Sequence, residues 1–314
     1  MAYTNTDTNM TTSSALSAGM QTYYNRELLR TFEPNLVHLQ FGDEHRMPPH
    51  SGLVMNMRKL IPLETNTKAL SEGDPGESVM LAETEVTVQL QQYGEYARCT
   101  DKLDLTHLDM DIMRRTKLFG DAGARSIDAV VREELAKCAN VIYAGGKASR
   151  AELTAADKLT SRELRKAVKT LKKNHAQTFG GYFVAIIGPD TMYDLQEDEA
   201  FVKVSQYQDK ENIYTGEVGR LFGVRLVETT EAKIFEGAGA SGADVASVIV
   251  LGRYAYGVTS LKGAKPRVIV KPAGSAGTAD PLDQISTVGW KMDGFGAKLL
   301  QPEYAVRIEC GFSA

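Results

Sequence analysis

Two strand-forming runs separated by a long polar segment constrain the fold of this chain more than any other feature. Residues 54–63 and 86–98 favour extended structure, and Val86, Val88 and Leu90 share one face of the second run. The segment between the runs is polar and rich in turn residues, so it has little apolar surface to bury. Because an isolated two-stranded ribbon is marginally stable in water, it needs support. A neighbouring subunit and the body of its own chain are equally good candidates.

An amphipathic stripe precedes the ribbon. Apolar residues recur at intervals of three and four until Pro34 ends the pattern, which predicts a helical N-terminal arm. A helix docked on its own core would show the same stripe, so both interpretations remain open. The residues of the stripe are Leu16, Met20, Tyr23, Tyr24, Leu28 and Phe32.

A second stripe, with the period of an α-helix, follows the ribbon. It predicts one long helix over residues 120–143, with Gly145 and Gly146 as its C-terminal cap. Asp104 or Thr106 is expected to cap the start of this helical region. The stripe consists of Ile127, Val130, Val131, Leu135, Cys138 and Ile142.

The start of the next helix is marked by a capping box. Thr160 and Glu163 have the spacing of such a box, and Leu159 and Leu164 are placed as a hydrophobic staple. Lysines in the last turn suit the helix dipole. The expected buried face consists of Leu164, Ala167, Val168 and Leu171.

The rest of the chain changes from mixed α/β to antiparallel β structure. The mixed part is expected to contain strands at 182–187, 224–229 and 245–251 and short helices at 191–196 and 215–221. The last part is expected to contain strands at 267–271, 284–292 and 304–312, with a turn at Asp293–Gly294.

Composition and charge exclude several classes of protein. The chain has 314 residues, enough for about two packed units, and its hydrophobic and charged fractions are those of an ordinary globular protein. A net charge of −4 without a long Lys/Arg block disfavours tight DNA binding. No apolar run approaches the length of a membrane span, and the start has no secretory signal. Cys99, Cys138 and Cys310 are too far apart for a zinc motif, which suits a reducing cytoplasm.

Two glycine-rich motifs have simpler explanations than ligand binding. Gly237, Gly239 and Gly242 match a dinucleotide fingerprint, but a β-branched run follows where a helix is required, so a loop is expected. Gly145–Gly146–Lys147 resembles part of a phosphate loop, but the upstream glycine is absent. A helix C-cap explains it better.

The acidic and histidine residues do not form a recognisable catalytic or metal-binding pattern. An acidic cluster lacks the EF-hand glycine and terminal glutamate, and a helix N-terminus explains it more simply. No H-E-x-x-H or G-x-S-x-G motif occurs, so no catalytic, cofactor-binding or metal-binding residue is expected. The cluster is Asp101, Asp104, His107, Asp109 and Asp111, and the other histidines are His38, His45, His50 and His175.

The order of these elements resembles that of the major capsid proteins of tailed bacteriophages. Residues 182–189 with Tyr193-Asp194-Leu195 look like that family's strand-Pro-helix-Leu element, and residues 219–227 look like its later glycine-containing strand. Residues 306–312 are similar to its closing strand. The resemblance covers essentially the whole chain and is closest to the N4-like podophage branch, whose virions carry a large RNA polymerase.

The resemblance implies an α+β fold of the Hong Kong 97 type (HK97-like), with an extended β-hairpin and a long spine helix. The expected parts are an N-terminal arm (1–52), the E-loop ribbon (53–100), a P-domain with the spine helix (101–177), an A-domain (178–260) and a C-terminal P-domain β region (261–314).

The same resemblance implies a function and a set of partners. Hexamers and pentamers of the chain would form the icosahedral head around double-stranded DNA, contacted non-specifically, with portal, scaffolding and decoration proteins as partners and no membrane or cofactor. The protein would belong to the virion and assemble in the host cytoplasm. An encapsulin-like compartment and a soluble α/β enzyme with an unrecognised site are the alternatives.

Overall fold

The structure is a computed structural model. It describes residues 26, 28, 36–48, 50–60, 67, 69, 80, 83–102, 112–198, 220–261, 265–275 and 280–313. Most of the predicted arm stripe, the ribbon turn at 73–76, the predicted caps Asp104 and Thr106 and most of the predicted helix at 215–221 lie outside these residues.

The described residues include three α-helices and fourteen β-strands. The helices are α1 (Ile112–Leu135), α2 (Ser161–Lys173) and α3 (Pro189–Gln196). The strands are β1 (Asp43–Met47), β2 (Val54–Leu60), β3 (Glu83–Gln89), β4 (Gln91–Thr100), β5 (Val141–Tyr143), β6 (Phe183–Ile187), β7 (Arg220–Leu221), β8 (Val224–Glu228), β9 (Ile234–Phe235), β10 (Val245–Leu251), β11 (Tyr256–Leu261), β12 (Arg267–Lys271), β13 (Ile285–Leu299) and β14 (Ala305–Cys310).

Two large sheets and one ribbon organise these strands. The seven-stranded sheet has the order β5-β14-β10-β6-β8-β7, with β9 also paired to β10. The five-stranded sheet has the order β1-β11-β13-β12, with β4 paired to β13. Strands β2 and β3 form the ribbon. The closing strand β14 thus lies inside the seven-stranded sheet while β11 lies in the other, so the predicted boundary at residue 260 does not separate the sheets.

Helix α1 lies between the two sheets. Ile127, Val131 and Leu135 are completely buried in one core with Ile186 of the seven-stranded sheet and Trp290 of the five-stranded sheet. The other face of the seven-stranded sheet is covered by α2 and α3, which form a second core. Strands β6 and β10 are therefore buried on both faces, which explains their continuous apolar runs.

The long helix ends earlier than the sequence predicts. It stops at Leu135, and the segment expected to continue it forms β5, parallel to β14. The Asn140 amide donates to the Pro302 carbonyl at 2.9 Å, and the Arg307 guanidinium donates to the Ala136 carbonyl just beyond the helix. These side chains donate hydrogen bonds to backbone carbonyls around the point where the helix stops. The periodic pattern of the sequence does not reveal them.

The predicted glycine cap is also wrong, because α1 ends at Leu135, well before Gly145. This residue has a φ of +63°, and a β-carbon there would collide with the carboxylate of Asp157. Close approach and a left-handed backbone explain the glycine.

A predicted turn proves to be a bulge inside a strand. Strand β13 runs through Asp293–Gly294, where its register shifts between Met292 and Phe295 and Gly294 has a φ of +73°. Strand β4 pairs along one edge of β13, and β12 and β11 pair in turn along the other. Neighbours on both edges hold the two halves in line, so the glycine bends the strand without ending it.

The start of α2 is confirmed, although its cap differs from the predicted box. Thr160 is the N-cap residue, but its hydroxyl donates to the Glu163 carboxylate and accepts no bond from a backbone N–H. The Ser161 N–H donates to Asp198 at 2.7 Å, so a residue beyond α3 helps to cap α2. The predicted staple and apolar face are buried: Leu159, Leu164, Ala167, Val168 and Leu171. The strand and helix predicted around Gly188–Pro189 are confirmed as β6 and α3.

A buried carboxylate on α3 holds the end of the chain. Asp194 accepts hydrogen bonds from the Ser313 hydroxyl at 2.6 Å and N–H at 2.9 Å and pairs with Lys158 at 2.9 Å. Burial alone would raise the pKa of Asp194, but the bonds from Ser313 and Lys158 outweigh it and lower the pKa. Stability from this group is therefore present above the carboxyl pKa of an unfolded chain and is lost as the pH falls through the lower folded value.

We expect Asp194→Asn to lower the urea midpoint at pH 7, because the charged acceptor of Ser313 and Lys158 is lost. The difference from the parent protein should shrink as the pH falls below about 4, where the carboxylate becomes protonated. Glu197→Gln, at an exposed partner of Lys158, is the control and should change little. A difference that is the same at pH 7 and at acid pH would contradict this role.

We expect Leu135→Ala to lower the free energy of unfolding by about 2 to 5 kcal/mol, because it leaves a cavity between α1 and both sheets. Leu118→Ala, on the same helix but 66% exposed, should cost below about 0.5 kcal/mol. Urea unfolding of both variants tests the prediction. A small loss for Leu135→Ala would show that α1 does not join the sheets.

Candidate subunit interface

The root of the ribbon packs on its own chain. Strands β2 and β3 are antiparallel, and Met57 and Val88 are buried on the face that meets the five-stranded sheet. A β-carbon on Gly257 would approach the Met57 sulfur within 2.8 Å, and one on Gly296 would approach a Val88 methyl within 2.9 Å. The two glycines thus leave the space that the ribbon fills. The predicted strand pairing and apolar face are confirmed for this root.

The second predicted strand does not stay in the ribbon. It breaks after Gln89, and β4 turns away to pair with β13 from Gln91 to Thr100. The buried Leu90 lies at the break, where its N–H donates to the Leu53 carbonyl at 2.8 Å. The predicted strand over residues 86–98 therefore serves two different sheets.

A salt bridge connects the ribbon root to the segment between β13 and β14. The Lys59 ammonium lies 2.8 Å from the Glu303 carboxylate, and its hydrogen bond is the main cause that lowers the pKa of Glu303. Because the carboxylate is more than half exposed, solvent screens the pair. Apolar packing of Met57 and Val88 therefore contributes more to the attachment.

The segment that follows the root is acidic and apolar in sequence. Residues 61–82 contain four acidic residues and one lysine, with six large aliphatic or methionine side chains. Met80, which the structure describes, is 89% exposed. The acidic residues are Glu64, Glu72, Asp74 and Glu77, and the apolar residues are Ile61, Leu63, Leu70, Val79, Met80 and Leu81.

A groove lies on the outer face of the five-stranded sheet, where β4, β13 and β12 run side by side. Tyr96 and Ile269 both pair with Gly289 in register, so two large side chains flank a residue that has none. Tyr96 is 63% exposed and Ile269 is 37% exposed. The resulting sheet groove has a volume of about 620 Å³. Its opposite face is buried against α1.

Cations lie at one end of the sheet groove. Arg98 and Lys271 both pair with Thr287, so they project from the same face as Tyr96 and Ile269. The Arg98 guanidinium lies 5.7 Å from the centre of the Tyr96 ring. No carboxylate of the described residues forms a salt bridge with either cation.

The acidic residues near the sheet groove have other contacts. Asp293 pairs with Lys291 at 2.7 Å and with Arg267 at 3.0 Å. Asp280 accepts the N–H of Ile285 at 2.7 Å, and Glu95 is exposed. Arg98 and Lys271 therefore suit an incoming acidic segment. The apolar row formed by Tyr96 and Ile269 on either side of Gly289 suits an aliphatic side chain.

The residues singled out as possible ligand sites are not brought together. Gly237 donates its N–H to Asp244 at 2.7 Å, and strand β10, not an α-helix, follows this loop. Of the acidic cluster only Asp101 is described, and it accepts the Lys102 N–H at 2.6 Å. Among the described residues no three potential metal ligands lie together.

The histidines and cysteines are dispersed over the described part of the chain. His38 is buried against Asp128 at 2.6 Å, and the half-buried His45 lies 3.1 Å from Asp43. His50 and His175 have positive φ angles, and His107 lies outside the described residues. All three cysteines are buried free thiols: Cys99, Cys138 and Cys310. No helix in the described ranges is long and apolar enough to cross a membrane.

The sequence interpretation missed the sheet groove. Tyr96 with Arg98, and Ile269 with Lys271, follow the alternation of a strand whose outer face is polar with one apolar side chain. That signal exists in the sequence. The pairing of Tyr96 with Gly289 is not evident from the sequence, because it joins residues almost 200 positions apart.

Comparison with known proteins decides the family. The family model described as phage capsid protein matches residues 83–308. The chain belongs to this family. A comparison with curated proteins gave no match.

Solved capsids share the fold of this capsid protein. The capsid of Ralstonia phage GP4 is 15% identical, with a TM-score of 0.67 over 100% of this chain and 98% of that one. The cyanophage Pam1 capsid is 15% identical, with a TM-score of 0.65 over the same shares. The capsid of cyanophage P-SCSP1u is 16% identical, with a TM-score of 0.65 over 87% of each chain. The HK97-like α+β fold is thereby confirmed.

Membership of the family gives the class of function. The chain is a structural shell protein and not an enzyme, so the enzyme alternative is excluded. Copies of a capsid protein assemble into the shell of the virion, so the surfaces that matter are those between subunits.

We expect Met57→Ala to loosen the ribbon more than Lys59→Met does. The first change removes buried packing and should cost about 2 kcal/mol or more, whereas an exposed ion pair contributes below about 1 kcal/mol. Urea unfolding and amide exchange in β2 and β3 measure both effects. Equal losses of protection in the two variants would show that the salt bridge, and not packing, holds the root.

Proposed function

We propose that this protein is the major capsid protein of a tailed phage of the N4-like podophage branch. Its hexamers and pentamers would form the icosahedral head around double-stranded DNA. Portal and scaffolding proteins, with possible decoration proteins, would be its partners, and assembly would take place in the host cytoplasm. The observation that carries the proposal is a ribbon root packed on the five-stranded sheet, which also bears a sheet groove of chemistry complementary to the sequence of residues 61–82.

The described elements support the following division of the chain. Residues 1–52 contain the N-terminal arm, and residues 53–100 form the E-loop, whose strand β4 joins the P-domain sheet. Helix α1 in 101–177 is the spine helix of the P-domain, which the five-stranded sheet completes from 261–314. The A-domain at 178–260 is built around the seven-stranded sheet, to which β14 also contributes. The arm and the E-loop would contact neighbouring subunits.

We place residues 61–82 of one subunit in the sheet groove of a neighbour. Carboxylates from this segment would approach Arg98 and Lys271, and its aliphatic side chains would fill the space between Tyr96 and Ile269. Opposite charges at such a contact set the register of the two subunits, and the apolar row excludes water. The charge balance of the protein suits the shell as well, because a lining without strong positive charge leaves packaged DNA free to slide.

An encapsulin-like compartment is the second candidate on the same fold. The match to a phage capsid family favours the phage head. Sedimentation and electron microscopy of purified particles test both: closed shells that package DNA support the head, and shells that hold an enzyme cargo support the compartment. A protein that never assembles beyond a dimer would contradict both.

We expect Lys271→Glu to reduce the yield of closed shells at least tenfold while leaving the folded subunit intact, because Lys271 is exposed. Combining it with Glu72→Lys, Asp74→Lys and Glu77→Lys should restore much of the yield, because the charges are then exchanged. Lys169→Glu, an equal charge change on the exposed side of α2, is the control. Sedimentation measures shells, and circular dichroism measures folding.

A normal shell yield for Lys271→Glu, or no recovery of the yield in the combined variant, would show that the sheet groove is not part of the interface.

A further inference from the structure

A buried carboxylate on α1 binds the chain where the arm joins the body. Asp128 is completely inaccessible to solvent. One of its oxygens accepts the N–H of His38 at 2.7 Å and the N–H of Leu39 at 3.3 Å. The other lies 2.6 Å from the His38 imidazole Nδ1. Residues almost 90 positions apart are thus joined by three contacts to one side chain.

Strand β11 also binds His38. The Tyr256 hydroxyl, from β11, donates to the backbone carbonyl of His38. Burial, with a smaller effect from the Asp128 charge, raises the pKa of Tyr256, so this hydroxyl remains a neutral donor. The N–H, the carbonyl and the imidazole of His38 are all bound, by a helix on one side and a strand on the other.

Apolar packing surrounds these contacts but does not fix the register. Leu36, Val37, Leu39 and Phe41 are partly buried against the core that contains α1. Such side chains pack in many arrangements of similar energy, whereas a buried carboxylate costs several kcal/mol unless donors meet it. The polar contacts therefore admit one placement of residues 38–39. Immediately downstream, β1 pairs with β11 in parallel. Upstream, Leu28 is completely buried in the same core as α1.

We propose that the contact of His38 with Asp128 is an arm pin, a positioning device that, together with the buried Leu28, sets from where the arm leaves the body. The inference rests on the proposed role of the arm in assembly. His38 and Asp128 need not touch a neighbouring subunit, because they act through the arm. The arm pin makes the arm of every free subunit start from one defined position.

Full-length variants separate positioning from general stability. Asp128→Leu removes every acceptor at similar volume, and Asp128→Asn retains an acceptor for the backbone N–H groups. His38→Ala removes only the imidazole, and it replaces Asp128→Leu if the latter does not fold. Val131→Ala, one turn further along α1, is the control that lowers stability without removing a polar contact.

Three readouts are compared at temperatures where the variants are equally stable. Trypsin cleavage after Arg26 and Arg30 reports on the arm, sedimentation reports on shells, and circular dichroism reports on folding. We expect Asp128→Leu to raise the rate of arm cleavage at least tenfold and to lower the shell yield by a similar factor. His38→Ala should show a smaller change, and Asp128→Asn should lie close to the parent protein.

Equal arm cleavage and equal shell yield in Asp128→Leu and Val131→Ala would overturn the inference, because the pair would then be merely structural. Deletion of residues 1–32 tests the role of the arm separately. If that protein forms shells normally, the assembly role of the arm fails. The cleavage readout still decides in that case whether His38 and Asp128 hold the arm in place.

Discussion

The burial of α1 between two sheets is the constraint on which the rest of the structure depends. Each sheet presents an apolar face, and one helix covers both, so Leu135 lies in a single core with side chains of both sheets. Large fully buried side chains contribute most of the favourable free energy of folding. The ribbon, the sheet groove and the arm pin are all attached to this three-layer unit, and their geometry is fixed relative to it.

Buried charged side chains then fix the relative positions of segments that apolar packing alone would not determine. Glu309 on β14 is inaccessible to solvent and accepts two bonds from Arg150, at 2.6 and 2.7 Å, with Arg307 at 2.8 Å. Asp194 holds the last described residues, and Asp128 holds the first continuous segment. Each carboxylate would be costly to bury alone, so each requires its partners in place. A subunit held on several sides by neighbours gains from such fixed geometry.

The sequence predicted structure correctly where interactions between residues close together in the chain determine it. The capping pattern at Thr160, the Gly188–Pro189 boundary and the apolar run of β10 predicted their elements correctly, because capping, turn chemistry and β-branching act within a few residues. The order of these elements carried the family resemblance, and that resemblance implied the fold class. The alternation of apolar and polar residues also predicted the two ribbon strands, because this pattern indicates a strand whichever strand it pairs with.

Only the tertiary structure decided where elements stop and which surfaces meet. The stripe through Cys138 predicted more helix, but pairing with β14 and the bonds of Asn140 made the next residues a strand. The sequence of Asp293–Gly294 predicted a turn, but strands paired along both edges of β13 make it a bulge within one bent strand. The arm pin and the sheet groove join residues about 90 to 190 positions apart. Periodicity and propensity report on neighbours along the chain, whereas these contacts depend on how the layers pack.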